Sequence, residues 1–384
     1  MSVRVDPNFI KDLKEFGLSD ANKCMHCGNC TAICPLSEKD TTFPRRLIKY
    51  AQMGMEDKIL SSPEPWLCYY CGDCSDQCPR GADPGEFMMV MRRYLTSRYD
   101  WTGFSRKFYT SEVFELIAVA VVAIIVGLLL VFFHADNPNM EHAYLNSVWP
   151  AGAIEIADMI MATILTVLLL SNTYRCAKFV MGDLLFKIPL GIYIKNAWEL
   201  VAHAATQKRF AECTDKMQWF VHLMIMTGYA TAFMLVAVFL AGGIHVIGLS
   251  WEPLQFQRDV IYPPWHPWRL LGYYATFAIM YGTTYAIIGR LKKSKTPYKN
   301  SHGTDWMFLI LLQATTLTGI FIHFTRLLDL AMPTYVLYVI HLMVAVPMLV
   351  LEVPFAKWAH LAFRPVTSFL VKVKEDYKNS ENLT

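Results

Sequence analysis

Eight of the ten cysteines fall into two copies of one pattern, C-x2-C-x2-C-x3-C-P: Cys24, Cys27, Cys30, Cys34 and Pro35, then Cys68, Cys71, Cys74, Cys78 and Pro79. Three thiols on one tight loop with a fourth a little further on are the donors of a cubane iron–sulfur cluster. Zinc sites pair two C-x2-C halves across a longer gap and have no use for a third cysteine two residues on. A disulfide scaffold would need export, and no positively charged stretch with an apolar core and cleavage site opens the chain. Where two clusters lie side by side, the fourth cysteine of each run reaches over to the other cluster. The expected ligand sets are therefore Cys24, Cys27, Cys30 and Cys78 for one [4Fe–4S] cluster and Cys34, Cys68, Cys71 and Cys74 for the other. Gly28 and Gly72 sit at matching places, where the backbone must come close to a cluster.

A second set of chemistry-bearing residues lies in the apolar part. Histidines within membrane spans are costly and mark functional sites by default. By depth, His222 falls at the inner end of a span and His360 just past the inner end of another, whereas His323 and His341 fall near outer ends. His341 and His360 are separated by nineteen residues, about 28 Å along a helix, which suits ligands of two different haems and not of one. The levels pair His222 with His360, and His341 with a partner near the outer face, for which His245 competes. A b-type haem held by two histidines suits electron transfer, since both axial positions are filled. The plainer reading is a helix-end histidine hydrogen-bonded to a neighbour. His26 could tune a cluster or simply face solvent; Cys176 and Cys213 read as structural.

The elements that must hold these residues follow from composition. Apolar residues make up 54% of the 384 and charged residues 17%, well below the roughly 25% of soluble domains. The deficit begins near Val113. Six stretches suffice to cross a bilayer, which takes about 20 residues: 113–133, 151–173, 218–241, 269–290, 304–326 and 334–357. Lys and Arg number seventeen on the side shared with the cysteine runs and three on the other, an asymmetry that places both termini in the cytoplasm. The net charge of +3 and the lack of a basic, aromatic-interleaved run give no reason to expect nucleic acid. The fold expected is all-α: a cytoplasmic helical domain over 1–105, a six-helix transmembrane domain over 106–365, and a cytoplasmic tail over 366–384. Loop 174–216 carries "DLLFKIPLGIYIKNAWELVAHA", which reads as a helix on the membrane surface or as a docking face.

Between the cysteine runs, "TTFPRRLIKYAQMGMEDKIL" has a helix start at Thr42–Pro44 and apolar residues at helical spacing. With the two runs, this stretch resembles the α-helical ferredoxin domain of the heterodisulfide reductase C subunit and of succinate dehydrogenase iron–sulfur proteins, over about residues 10–100. From about Met217 to Pro365 the chain is similar to the cytochrome b subunit of respiratory nitrate reductase, through "QWFVHLMIMTG", "TDWMFLILLQATTLTGI" and "YVIHLMVAVPMLVLEVPFAKWAHLAFRP". That resemblance implies haem ligands at His341, His360 and His222. The fourth position, ten residues after His222, is Ala232, so His323 is the substitute expected for the outer haem.

The order of the two parts resembles the family of membrane-embedded C subunits of quinone-interacting membrane-bound oxidoreductase complexes. This resemblance implies a multi-pass subunit of a bacterial or archaeal cytoplasmic membrane. It would carry electrons between menaquinone and cytoplasmic flavin and iron–sulfur partners, heterodisulfide-reductase-A-like, toward adenylylsulfate reductase in sulfate metabolism. An equivalent subunit linked to heterodisulfide or sulfite reduction is the near alternative. A membrane redox sensor or transporter is the distant one, and it predicts charges within the spans. Those present are Glu115, Glu155, Asp158 and Glu352, and Glu352 suits either quinone proton traffic or an ion pair.

Overall fold

Asp83 accepts a hydrogen bond from the Glu86 amide and Pro84 follows it, so a helix starts there and runs sixteen residues, to Tyr99. Twelve of its residues are buried, and it is the axis on which the amino-terminal domain is built. In the computed structural model, which describes residues 4–19, 21–37, 42–208, 210–236 and 260–381, every regular element among the described residues is helical. Ahead of the axial helix α7 (Pro84–Tyr99) come α1 (Phe9–Glu15), α2 (Asn29–Ile33), α3 (Arg45–Gln52), α4 (Glu56–Leu60), α5 (Glu64–Leu67) and α6 (Asp73–Asp76). Phe9 and Phe16 meet Tyr94 edge-on at 5.3 and 5.5 Å, closing α1 onto α7.

The second part begins with α8 (Phe104–Thr110) and α9 (Glu112–Phe132), followed by α10 (Leu145–Val148) and α11 (Ala151–Met181). Three short helices follow, α12 (Leu184–Lys187), α13 (Leu190–Asn196) and α14 (Trp198–Thr206), then α15 (Lys216–Met234). The chain continues with α16 (Pro267–Leu291), α17 (Thr296–Lys299), α18 (Gly303–Leu327) and α19 (Ala331–Pro347), a π-helical segment (Met348–Glu352), α20 (Val353–Phe355) and α21 (His360–Glu381). Among the described residues four helices are long and apolar enough to cross a bilayer: Glu112–Phe132, Gly152–Met181, Gly303–Leu327 and Ala331–Phe355. Their outward faces carry Leu116, Ile124, Leu128, Ile160, Val167 and Leu170, each at least half exposed. An apolar band of this extent marks a surface that faces lipid or a partner subunit. Two further stretches expected to cross do not meet that standard. α16 has the length, but its Tyr, Thr and Gly residues dilute its apolar character, and α15 belongs to a stretch whose last residues, 237–241, lie outside the described ones. Both pack into the same bundle, α15 on α16 and α16 on α18.

The two parts share one core. α11 runs on to Met181, past the expected end at 173, because Arg175 donates to the Tyr99 carbonyl at 2.7 Å and Cys176 and Val180 bury among amino-terminal side chains. Phe363 on α21 does the same from the other end of the chain, 5.1 Å from Trp66 and 5.3 Å from Tyr99. The segment 366–381 is helix too, seated through Leu370 and Val373 on α11 to α13. Because Phe363 is wholly buried at this junction, Phe363→Ala is expected to cost about 3–5 kcal/mol through lost burial and a cavity. A fall in the thermal midpoint followed by circular dichroism checks it.

Loop 174–216 forms a layer beneath the bundle. Ile188, Ile192 and Tyr193 face α21, while Phe186, Leu190, Ile194 and Trp198, four residues apart in turn, are each more than 60% exposed. One helical stripe is thus left open with Lys187 and Lys195 beside it, the pattern of a helix lying at a lipid surface.

Candidate functional site

The repeat is written in the backbone as well as in the cysteines. His26 and Tyr70, each two residues after the first cysteine of its run, share φ of 57°, and Gly28 and Gly72 follow with φ of 90° and 96°. That left-handed turn favours glycine, and it aims α2 and α6 back across each other. Asn29 Nδ2 reaches the Gln77 carbonyl at 2.5 Å. A Cβ on Gly72 would come within 3.1 Å of Pro297 and 3.2 Å of Thr296, because the loop before α18 presses on this turn.

Cys24, Cys27, Cys30 and Cys78 line one small cavity together with Arg45. Cys74 lies within electrostatic reach of Cys68, Cys71 and Cys34, its strongest thiol neighbours. Backbone amides of Tyr70 and Ala82 donate to Cys68 Sγ and Cys78 Sγ, each at 3.3 Å. All ten cysteines are free thiols. Burial pushes the Cys34 thiol up to about 12 and raises Cys30, Cys68 and Cys74. Cys71 is lowered, first by a hydrogen bond from Cys213, which thus packs against a run cysteine. Among the described residues no three Cys, His, Asp or Glu side chains converge on a single metal ion. A four-iron cubane does not need that, since each thiolate binds its own iron. Thiol-only donors, amides aimed at sulfur and glycine turns with no room for a side chain fit such a group.

The second cysteine loop is gripped by the membrane part. Arg364 on α21 donates to the Cys68 carbonyl at 2.7 Å, Arg92 on α7 donates to the same oxygen, and the Arg364 guanidinium lies 4.1 Å from the Tyr69 ring centre. Thr214 Oγ1 donates to Asp73 at 2.6 Å. Tyr69, between Cys68 and Cys71, stacks on Phe210 at 4.8 Å, and its hydroxyl meets His203 Nε2 at 3.1 Å. His203, on α14, is a buried prop for that tyrosine.

Phe210 continues to His222, 5.7 Å away edge-on, and His222 faces His360 with ring centres 6.3 Å apart. Two metal–nitrogen bonds of about 2 Å with half a ring on each side give roughly 6 Å, so the pair is spaced for one metal between them. The hydrogen bonds agree. His222 Nδ1 is 2.7 Å from Gln207 Oε1, and His360 Nδ1 meets the Lys357 carbonyl. Both partners only accept, so Nδ1 carries the proton and each Nε2 keeps its lone pair, the arrangement of an oriented metal-binding histidine. Both rings line a cavity of about 230 Å³ shared with Tyr229, Trp358 and Arg364, which fits the edge of a flat apolar group.

His341 has Nδ1 at 2.9 Å from Thr318 Oγ1, whose own hydrogen goes to the Ala314 carbonyl at 2.8 Å; its Nε2 is free in the same sense. His323, the expected partner, is turned elsewhere. Arg269, which can only donate, occupies its Nδ1, and Nε2 meets the Tyr273 hydroxyl at 2.9 Å. Its proton therefore sits on Nε2, the opposite tautomer from the other three. His323 lines a separate cavity of about 460 Å³ with Arg269, Tyr273 and Arg326. His245 lies outside the described residues.

A helical domain with two cysteine-rich turns, locked to a bundle of membrane-length helices, defines an electron-transfer iron–sulfur subunit. Residues 20–82 match the family model of the 4Fe-4S dicluster domain. The chain is 39% identical over 88 residues to an Archaeoglobus profundus protein similar to the heterodisulfide reductase C subunit, covering 23% of this chain and 47% of that one. It is 38% identical over 84 residues to the C subunit of the ferredoxin:CoB-CoM heterodisulfide reductase of Methanosarcina mazei, 22% of this chain and 51% of that one. Against the C subunit of the H2:CoB-CoM heterodisulfide,ferredoxin reductase of Methanothermobacter thermautotrophicus the figures are 34% over 76 residues, 20% and 41%. The chain thus spans about half the length of the curated relatives it matches. The resemblance to the heterodisulfide reductase C subunit that the cysteine runs carry is borne out. No solved structure matches.

Proposed function

We propose that this chain carries electrons between a quinone pool in the membrane and a soluble redox partner on the side of the cysteine domain. Two [4Fe–4S] clusters would be held by Cys24, Cys27, Cys30 and Cys78 and by Cys34, Cys68, Cys71 and Cys74. An inner haem b would be held by His222 and His360, and an outer one would take His341. Haem and clusters supply reversible one-electron chemistry; the chain's own residues position, insulate and tune.

The observation that carries this reading is the unbroken run Tyr69, Phe210, His222, His360. It joins a residue inside the second cysteine run to a histidine pair spaced for a metal, with every ring step between 4.8 and 6.3 Å. Arg92 and Arg364 set two positive charges against Cys68, which favours the reduced, more negative state of a cluster bound there. An electron arriving from the histidine pair therefore meets an acceptor stabilised at the domain boundary. The soluble partner is inferred from the relatives, which are subunits of multi-subunit reductases. Flavin-containing, heterodisulfide-reductase-A-like subunits and adenylylsulfate reductase are the partners proposed. The seventeen-to-three bias of Lys and Arg supports a cytoplasmic cysteine domain.

Adding a menaquinol analogue to the purified membrane protein should produce reduced low-spin b-haem bands, and a preparation with no haem would overturn the reading. His323→Ala should keep the wild-type haem count, because its ring nitrogens are committed to Arg269 and Tyr273; loss of one haem from that variant would restore it as the outer ligand.

A further inference from the structure

Two acidic side chains are buried where the electron path does not use them. Glu115 on α9 is 1% exposed and Glu352, in the π-helical segment, is wholly buried. The carboxyls lie within hydrogen-bond reach of each other. Apart from that, neither oxygen of Glu352 nor Oε1 of Glu115 meets a donor among the described residues. π-helical turns inside long helices recur at functional sites, and this one turns Glu352 inward, toward α9.

Among the described residues the surroundings offer no cation free to neutralise the pair. Facing the pair are Glu112 from α9, Tyr109 from α8, Asp305 from α18 and Lys357 from the turn before α21. Lys357, the cation among them, is engaged by Asp305. Two buried carboxylates side by side with no cation to spare cannot both be ionised. The donor missing from the hydrogen-bond pattern is a proton, held by the two groups in common. Glu112 is exposed and lies one turn before Glu115, at the end of α9 that joins the cysteine domain.

We propose that Glu115 and Glu352 form a proton-holding site that takes up protons from the cysteine-domain side, through Glu112, and exchanges them with quinone chemistry in the membrane. Reduction of a quinone to quinol consumes two electrons and two protons, and the reverse releases both. Taking up a second proton from solvent makes the singly charged dyad neutral, and passing that proton on returns it to one shared proton, so the cycle never ionises both carboxyls in the apolar slab. The use made of the proton rests on the quinone reading above; the shared proton itself does not.

The test is difference infrared spectroscopy on the full chain in lipid nanodiscs, in H2O and D2O. At neutral pH the wild type should show the C=O stretch of a protonated carboxyl, shifted by deuterium, and Glu352→Gln should abolish it. Haem reduction by a menaquinol analogue should slow about 100-fold in that variant, the scale of a lost proton-transfer group. A wild type without the band, or a band that survives Glu352→Gln, overturns the site. An unchanged rate in Glu352→Gln overturns its role in proton transfer from the quinol. A wild type that shows the band but is not reduced by quinol instead refutes the quinone reading. Should Glu352→Gln fail to assemble, Glu115→Gln serves in its place, with a changed band and a slowed rate expected and an unaltered band overturning the site.

Discussion

His360→Ala should lower haem content by one per chain while both sets of cluster signals persist. The ring is the first residue of α21, and on one side it meets only the Lys357 carbonyl, through Nδ1. The ring lines the cavity shared with His222. Removing the imidazole would take away one of the two proposed haem ligands and leave the cysteine runs untouched. His222→Ala should have the same spectrum, since either loss empties the same position. Gln207→Ala should be milder: it removes the acceptor that fixes the His222 tautomer, and outer partners of this kind change affinity by about 10–100-fold. Pyridine haemochrome assay per polypeptide, with EPR of the clusters on the same sample, reads all three. Full haem in His360→Ala would remove the pairing, and with it the route from the bundle to Tyr69.

Much of this arrangement is legible in residue spacing and hydropathy alone. The cysteine runs show themselves by spacing, and the levels of His222, His341 and His360 follow from where apolar stretches end. Long-range partners are what a linear pattern hides. Gln207 and His203 sit in a loop whose pattern says only that it is amphipathic, yet the fold tucks that loop under the bundle and turns them onto His222 and Tyr69. Cys213 reads as inert because no local pattern marks it, and it lies against Cys71. Glu115 and Glu352 are visible as charges inside spans, but their meeting depends on α9 packing along α19 and the π segment, a tertiary contact between residues 237 positions apart in the sequence. His323 is the converse case. Its depth alone makes it a candidate, and Arg269 and Tyr273, from the start of α16, decide its tautomer. Depth is a one-dimensional property legible in sequence; which nitrogen is free is not.

The crossed ligand sets give the sharpest test of the cysteine domain. Cys78 closes the second run yet lines the cavity of Cys24, Cys27 and Cys30, and Cys34 closes the first run yet feels Cys68 and Cys71 more strongly than the other thiols. The cause is the pair of left-handed turns at Gly28 and Gly72, which fold α2 and α6 across each other so that each run ends beside its neighbour's start. Under crossing, Cys78→Ser and Cys24→Ser should abolish or convert the same EPR signal, and Cys34→Ser and Cys68→Ser the other. The second pair should also stop electrons from quinol-reduced haem reaching a soluble acceptor, since that cluster is the one beside Tyr69. Crossing also makes each cluster a bridge between the two runs, so either loss should loosen both, and the thermal midpoint of the domain should fall for all four variants. A Cys78→Ser spectrum that matches Cys68→Ser, with Cys24→Ser standing apart, would mean that each run keeps its own four thiols.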